Sequence, residues 1–222
     1  INDYIVHAPY DSQKMFDRIL DRLDKGVKEP TALSEFTKQI LFDNYDKILS
    51  WSAASKIHHN CRGGWLYHTF RMVESAYYLR CVYQVDAELL ICGTILHDIG
   101  KLKELDTDNL GTAEYTIPGT LFGHSTLGIE MIDKAYESWK KEIHKDLPEE
   151  RVMLLKHMIA SHHGKLEYGA ITVPSIPEAM ILHELDMIDS RIYQFEQVRK
   201  DLEPGSMSDK ILGLDTRVYR PL

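Results

Sequence analysis

DAELLICGTILHD, residues 86–98, predicts the helix on which the fold of this chain depends. Asp86 is a favourable N-cap residue, and the residues after it are apolar on nearly every side of a helix. A helix that is apolar all round is typical of the centre of a helical domain, so we expect neighbours on all sides of it. Two strong metal ligands, His97 and Asp98, end the segment. A carboxylate buried there needs a cation beside it.

The sequence on either side of this segment predicts further helices and little else. Apolar residues recur at helical spacing over 11–27, 31–50, 65–83, 121–143, 148–164 and 177–202. Residues 102–120 are irregular, with one short extended piece at AEYTIPG (113–119), and the tail at 203–222 is predicted to be extended and docked. We therefore predict an all-α fold with one domain over residues 11–202, a linker at 1–10 and a C-terminal tail at 203–222.

Composition narrows the class of protein. The 222 residues are 44% hydrophobic, which is enough to form one sizeable core. The net charge of -8 disfavours general electrostatic binding of nucleic acid, unless metal ions supply local positive charge. The three cysteines form no CxxC pair and indicate thiols in a reducing compartment. Because no membrane-spanning run or signal peptide is visible, we expect a cytoplasmic protein without membrane contact.

Histidine and aspartate side chains recur at helix ends and on one helix face. They are His68, the His97-Asp98 pair, His124, the His162-His163 pair, and Asp186 with Asp189 one turn later. Taken singly, each has a simpler interpretation as a solvated or hydrogen-bonded side chain, and for Asp189 we keep that of a solvated helix face. Taken together they indicate metal, because Asp98 and Asp186 lie among apolar residues without a buried basic run. Mixed histidine and aspartate ligands suit Mn, Fe, Zn, Co or Ni.

The adjacency of His97 and Asp98 has a chemical use. Neighbouring ligands at a helix end can bind one ion together, and the second oxygen of the carboxylate can bridge to another ion. Two ions about 4 Å apart are the usual apparatus for hydrolysis of phosphate esters. The sequence therefore favours a hydrolase that acts on phosphate esters.

These residues resemble a known family in their order. His68, the His97-Asp98 pair and the distal Asp186 are similar to the HD superfamily of metal-dependent phosphohydrolases, and the added histidines resemble its two-metal branch. Longer blocks resemble the HD domain of YhaM-type 3′→5′ exoribonucleases. They are AASKIHHNCRGGWLYHT (53–69), ILHDIGKLKEL (95–105), YTIPGTLFGH (115–124), SHHGKLEYGA (161–170), ILHELDMIDSR (181–191) and the closing KILGLDTRVYRP (210–221).

The resemblance implies a fold and a set of ligands. The fold is an HD-domain helical bundle with a two-metal site between its helices. The ligands divide into His68, His97, Asp98 and Asp186 for the first ion and His124, His162 and His163 for the second, with Asp98 as the bridge. The resemblance favours two manganese ions and leaves Fe, Co, Ni, Zn and Mg open.

The resemblance also implies a reaction and contacts to substrate. The reaction is hydrolysis of RNA from the 3′ end with release of nucleoside monophosphates, and single-stranded DNA is left open as a second substrate. Lys101 would hold the scissile phosphate, and its simpler alternative is a charge at a helix C-terminus. His58 and His59 would line the pocket or donate a proton to the leaving group, and Arg62 would contact phosphate. A capping role for the two histidines and a solvated Arg62 are equal alternatives.

Two other functions stay open from the sequence. One is a stand-alone HD phosphohydrolase that acts on a mononucleotide or cyclic nucleotide, and the other is a non-catalytic nucleotide sensor that keeps the metal site. In the YhaM-type family an OB-fold module precedes the HD domain and supplies a groove for single strands. Residues 2–9 are interpreted as the linker from such a module. Cys61 and Trp65 stand where we expect other apolar or aromatic residues, which leaves substrate preference open. Assembly into a homo-oligomer is also left open.

Overall fold

A computed structural model describes residues 8–27, 29–53, 62–108, 112–142 and 146–222. The helices are α1 (Ser12–Gly26), α2 (Ala32–Asp43), α3 (Tyr45–Ser50), α4 (Gly64–Leu79), α5 (Ala87–Leu96), α6 (Lys101–Glu104), α7 (Ile117–Glu142), α8 (Glu149–Ser161) and α9 (Pro177–Asp201). Strands β1 (Leu105–Thr107) and β2 (Ala113–Tyr115) form one antiparallel hairpin, and β3 (Met207–Ile211) and β4 (Thr216–Tyr219) form another. The predicted all-α class is confirmed. Within the described ranges, no helix combines the length and apolar character needed to cross a membrane.

Helix α5 is the centre of the domain, as its apolar sequence predicts. Every side chain from Leu89 to Leu96 is buried, and α5 contacts α1, α2, α4, α8 and α9. The Asp86 carboxylate caps the helix by accepting a hydrogen bond from the Leu89 backbone N–H at 2.9 Å. A Cβ at Gly93 would lie 2.3 Å from the Met158 methyl group, so the missing side chain lets α8 approach closely. Burial of each large apolar side chain in such a core contributes about 1.5–3 kcal/mol.

The helix boundaries differ most from the prediction in three places. Residues 31–50 form two helices, because the chain leaves the helical path at Asn44, whose side chain donates a hydrogen bond to the Ile40 carbonyl at 2.8 Å. Helix α4 ends at Leu79, and residues 80–83 turn instead of continuing it. Helix α7 begins at Ile117 and is interrupted by Gly123, which has a φ of 70°. Glycine adopts this left-handed conformation without the steric cost that other residues meet.

Short antiparallel hairpins replace the irregular segments. The extended piece predicted at 113–119 is correct for Ala113–Tyr115 only, because residue 117 already belongs to α7. Strand β1, its partner, was not predicted from the sequence. In the tail, β3 and β4 pair with each other. Strand β4 contacts α9, and its Val218 side chain is buried. The tail is thus a docked hairpin and not a single extended segment.

Candidate metal centre

The predicted ligands converge where helices α4, α5, α7, α8 and α9 meet. They are His68 in α4, His97 and Asp98 just after α5, His124 in α7, His162 and His163 at the end of α8, and Asp186 in α9. Two groups of three have ligand atoms that all lie within 4.8 Å of one another. The first group is His68, His97 and Asp186, and the second group is His124, His162 and His163. Each is a set of donors that could hold one metal ion.

The separations within each group are short. In the first group, His68 Nε2 lies 3.3 Å from His97 Nε2 and 3.4 Å from Asp186 Oδ1. In the second group, His124 Nε2 lies 3.3 Å from His162 Nε2 and 3.2 Å from His163 Nε2. Nitrogen and oxygen atoms that face one another this closely on several side chains have the arrangement of a coordination shell.

Asp98 lies between the two groups and turns one carboxylate oxygen toward each. Its Oδ2 is 3.4 Å from His97 Nε2 and 3.8 Å from His68 Nε2. Its Oδ1 is 3.4 Å from His124 Nε2 and 3.7 Å from His162 Nε2. The Asp98 side chain is almost fully buried. This is the geometry that a bridging carboxylate requires.

Close backbone approach brings the second group within reach of Asp98. A Cβ at Gly100 would lie 1.9 Å from the His124 carbonyl oxygen, so the turn after α5 and the segment at His124 could not come together with any other residue there. The Trp65 indole N–H donates to the Asp98 carbonyl at 2.9 Å and holds the same turn from the side of α4. The spacing of the two groups is therefore fixed by the backbone of one turn.

Hydrogen bonds from Nδ1 to an oxygen acceptor orient four of the five imidazoles. His97 donates to the Thr94 carbonyl at 2.8 Å, and His162 donates to the Ile159 carbonyl at 2.7 Å. His68 Nδ1 is 2.7 Å from Asp189 Oδ2, and His124 Nδ1 is 3.1 Å from Glu104 Oε1. In each case the acceptor fixes the proton on Nδ1 and leaves the Nε2 lone pair for the centre, as outer partners do for metal-binding histidines.

Asp189 and Glu104 are the two carboxylates that the sequence did not assign to the centre. The interpretation of Asp189 as a solvated helix face is wrong, because it is buried between His68 and Arg71, whose Nε lies 2.5 Å from Asp189 Oδ1. Its spacing of one turn from Asp186 was a signal that both share a face. Glu104 is also buried and accepts a hydrogen bond from the His124 backbone N–H at 3.0 Å. No local pattern marks Glu104, since its partner comes from a distant helix.

The protonation states differ between the groups. Burial would raise the pKa of Asp98, but the charge of Lys101 and the contact with His97 outweigh it and hold that pKa well below the usual range. Burial would lower the pKa of His68, but Asp186 and Asp189 raise it to about 10. Burial lowers the pKa of His162, and neighbouring imidazoles act in the same direction. The first group thus holds a proton that a metal ion must displace, whereas His162 presents a neutral imidazole.

The predicted substrate contacts have different surroundings. Lys101 Nζ lies 2.7 Å from Asp98 Oδ2, and Lys101 is the first residue of the four-residue helix α6. Burial opposes its charge, but Asp98 raises its pKa, so the ammonium stays protonated. Arg62 is exposed just before α4, and no described contact joins it to either group. His58 and His59 lie outside the described residues.

Comparison with known proteins agrees with this arrangement. Residues 65–191, which contain both groups and Asp98, match the family model described as the HD domain. The chain is similar to the protein named 3′-5′ exoribonuclease YhaM of Bacillus licheniformis (32% identical, covering 100% of this chain and 68% of the relative). It is also similar to the proteins of the same name from Bacillus subtilis (31%, 100% and 68%) and Geobacillus sp. (32%, 100% and 66%). No solved structure matches the chain significantly.

Proposed function

The chain belongs to the HD domain family and is of the YhaM type, and from this premise we propose that it is a metal-dependent 3′→5′ exoribonuclease. It hydrolyses single-stranded RNA from the 3′ end and releases nucleoside monophosphates, with single-stranded DNA left open as a second substrate. The observation that carries the proposal is the Asp98 carboxylate, which turns one oxygen to each of two ligand groups. A two-ion centre of this kind is suited to in-line displacement at a phosphodiester.

The donor set supports two divalent ions. We propose that His68, His97, Asp186 and Asp98 hold the first ion, and that His124, His162, His163 and Asp98 hold the second. Mixed imidazole and carboxylate ligands support Mn²⁺, with Fe, Co, Ni, Zn and Mg as competitors. When bound, such ions lower the pKa of a coordinated water and neutralise charge on the phosphoryl oxygens.

Lys101 supports the handling of a phosphate. Its ammonium is paired with Asp98 at 2.7 Å and keeps a small exposed fraction of 14%, so it borders the centre from one side. We propose that it donates a hydrogen bond to a non-bridging oxygen of the scissile phosphate, where charge develops in the transition state. His58, His59 and Arg62 remain proposed contacts of the substrate.

The negative charge of the chain supports the proposal that strand binding and hydrolysis lie in different domains of the full-length protein. The net charge of -8 provides little general attraction for a nucleic-acid backbone. We propose that an OB-fold module, connected through residues 1–10, supplies much of the strand binding, that residues 11–202 form the hydrolytic domain, and that the protein acts in the cytoplasm. This chain spans 68% of the length of the Bacillus relatives.

The direction of degradation tests the proposed function. The chain is incubated with Mn²⁺ and an oligoribonucleotide labelled at its 5′ end, and in parallel with mononucleotides and cyclic nucleotides. We expect a ladder of labelled products that shortens from the 3′ end. Release of phosphate from mononucleotides, or opening of cyclic nucleotides without degradation of RNA, would instead identify a phosphohydrolase of small nucleotides. No turnover of any substrate with metal bound would favour a non-catalytic sensor.

Asp189→Asn is expected to weaken metal binding about 10- to 100-fold, the usual effect of losing a partner that orients a ligand. Asparagine keeps the shape of the side chain but removes the negative charge that faces His68 Nδ1 at 2.7 Å. Titration of the metal-free protein with Mn²⁺ measures this loss, and the pKa of His68 should fall in the same variant.

Glu196→Gln is the matched control for this variant. Glu196 pairs with Arg71 at 2.7 Å, whereas Asp189 contacts His68 directly. The control should bind Mn²⁺ as the unmodified chain does. If Asp189→Asn binds Mn²⁺ equally well, Asp189 does not position His68.

A further inference from the structure

Two exposed apolar segments border the second group. We call residues 117–123 and 165–171 together the apolar rim. Each segment carries three large apolar side chains that are more than half exposed: Ile117, Leu121 and Phe122 in the first, and Leu166, Tyr168 and Ile171 in the second. Clustered apolar exposure on a protein surface marks sites that bind ligands or partners.

The first segment is held against the buried Glu104. The Thr116 backbone N–H donates to the Glu104 carbonyl at 2.9 Å, and the His124 backbone N–H donates to the Glu104 carboxylate at 3.0 Å. A Cβ at Gly119 would lie 2.1 Å from the Glu104 carbonyl oxygen, so the inner side of the segment is filled by backbone. Phe122, two residues before His124 in the chain, is more than half exposed.

The second segment is held against α8 and His163. The Ile171 backbone N–H donates to the Ala160 carbonyl at 2.9 Å. Gly169, with a φ of 92°, lies so near the imidazole that a Cβ there would be 3.6 Å from His163 Nδ1. Tyr168 is its direct neighbour, and Lys165 Nζ lies 5.5 Å from the centre of the Tyr168 ring. This segment thus places an exposed aromatic ring and a cation beside another ligand of the second group.

The two segments meet the second group at neighbouring histidines. The first segment leads directly into His124, Gly169 of the second segment lies near His163, and His124 Nε2 and His163 Nε2 are 3.2 Å apart. We therefore expect a base attached to a phosphate at this group to lie next to the apolar rim. Aromatic side chains stack on any base, and this attraction needs no positive surface charge, which suits an acidic chain. Lys165 adds a local cation that complements the phosphate of the same strand. These features favour a nucleotide over a protein surface as the occupant.

We propose that the apolar rim is a base-stacking subsite, in which Phe122 and Tyr168 stack on the 3′-terminal bases of a single strand without regard to their identity. This inference rests on the proposed function. It explains how an exonuclease holds every nucleotide in turn, since stacking supplies affinity while hydrogen-bond readout of a base edge would reject three bases of four.

Strands with and without terminal bases test the subsite. Two oligoribonucleotides are compared, one natural and one with stable abasic analogues at its last two 3′ positions. For the unmodified chain we expect a KM about a hundred-fold lower on the natural strand, because each of the two stacked aromatic side chains contributes about ten-fold. Phe122→Ala and Tyr168→Ala should each raise KM on the natural strand about ten-fold and leave KM on the abasic strand unchanged. Phe122→Trp and Tyr168→Phe should retain the preference.

Tyr83→Ala is the matched control. Tyr83 is an equally exposed tyrosine beyond the end of α4, and Leu79 at that end is about 16 Å along the helix from His68. This variant should behave as the unmodified chain on both strands. Thermal melting checks that all variants fold, and sedimentation checks their mass.

Several results would overturn the subsite. They are equal changes of KM on both strands, unchanged KM in both alanine variants, or a change of oligomeric mass that identifies the apolar rim as a contact between copies. Binding of the labelled strands, followed by fluorescence anisotropy, separates the two proposals. If the unmodified chain binds the natural strand better than the abasic one but degrades neither, the proposed function fails and the subsite stands. If the chain degrades RNA from the 3′ end with no preference for terminal bases, the subsite fails and the proposed function stands.

Discussion

Asp98→Asn is expected to slow hydrolysis of RNA at least about a thousand-fold, because it removes several kcal/mol of transition-state stabilisation. The carboxylate turns Oδ2 to the first group and Oδ1 to the second. Asparagine offers only one oxygen and no charge, so it can serve one ion but cannot bridge two. Single-turnover rates on a 5′-labelled oligoribonucleotide in saturating Mn²⁺ measure the loss, and metal content per chain should fall as well.

The fold of this variant should persist. Asparagine has the volume of aspartate, and the bond from the Trp65 indole reaches the backbone carbonyl of residue 98, which the substitution leaves in place. Asp106→Asn provides the control, since Asp106 is an exposed aspartate on the nearby strand β1, and it should retain full activity. Activity of Asp98→Asn within ten-fold of the unmodified chain would contradict a bridging role.

Removal of metal is expected to abolish hydrolysis completely, and two Mn²⁺ ions per chain should restore it. The two groups should differ in their response to pH. In the metal-free protein Asp186 and Asp189, against the effect of burial, raise the pKa of His68 to about 10, so this imidazole is protonated at neutral pH. A metal ion must displace that proton, and affinity at the first group should rise about ten-fold for each pH unit between pH 7 and 9. Burial keeps His162 neutral, so the second group should show no such dependence there.

Calorimetric titration in buffers of different ionisation enthalpy measures the protons released with each ion. His157→Gln is a control, because His157 Nε2 accepts a hydrogen bond from the Ser175 backbone N–H at 3.0 Å, outside both groups. The His157→Gln variant should still bind two Mn²⁺ ions per chain. Full activity after exhaustive chelation, or one ion per chain at saturation, would contradict a two-ion centre.

The same proton affects the stability of the metal-free protein. The pKa of His68 is higher in the folded state than its usual value of 6.5, so the stability that protonation provides is fully present below pH 6.5. That stability is lost as pH rises through about 10. Bound Mn²⁺ replaces the proton, and at a hundred-fold excess over its Kd each ion adds about 2.7 kcal/mol to the free energy of unfolding.

The sequence predicts the centre better than it predicts what holds the centre in place. Helix α5 was predictable because an all-apolar run has one stable location, and His97 and Asp98 were noticeable because they follow that run directly. The division of the proposed ligands between two ions came from the family resemblance. The role of Glu104 was not predictable, because its partner His124 is twenty residues away and only tertiary packing joins them. The break at Asn44 was hidden for a related reason: apolar spacing continues across it, while a side-chain bond to the Ile40 carbonyl ends the helix.

Gly100 donates no ligand, yet it decides whether the ligands form one centre. A methyl group there would lie 1.9 Å from the His124 carbonyl oxygen, so His124 would have to move from its place beside Asp98. A catalogue of metal-binding residues is therefore an incomplete criterion when genomes are searched for two-ion phosphodiesterases or when this scaffold is redesigned. A chain can carry all seven proposed ligands and still fail to bring them together if alanine stands at this position. A search or a redesign should therefore require glycine at this position as well as the histidines.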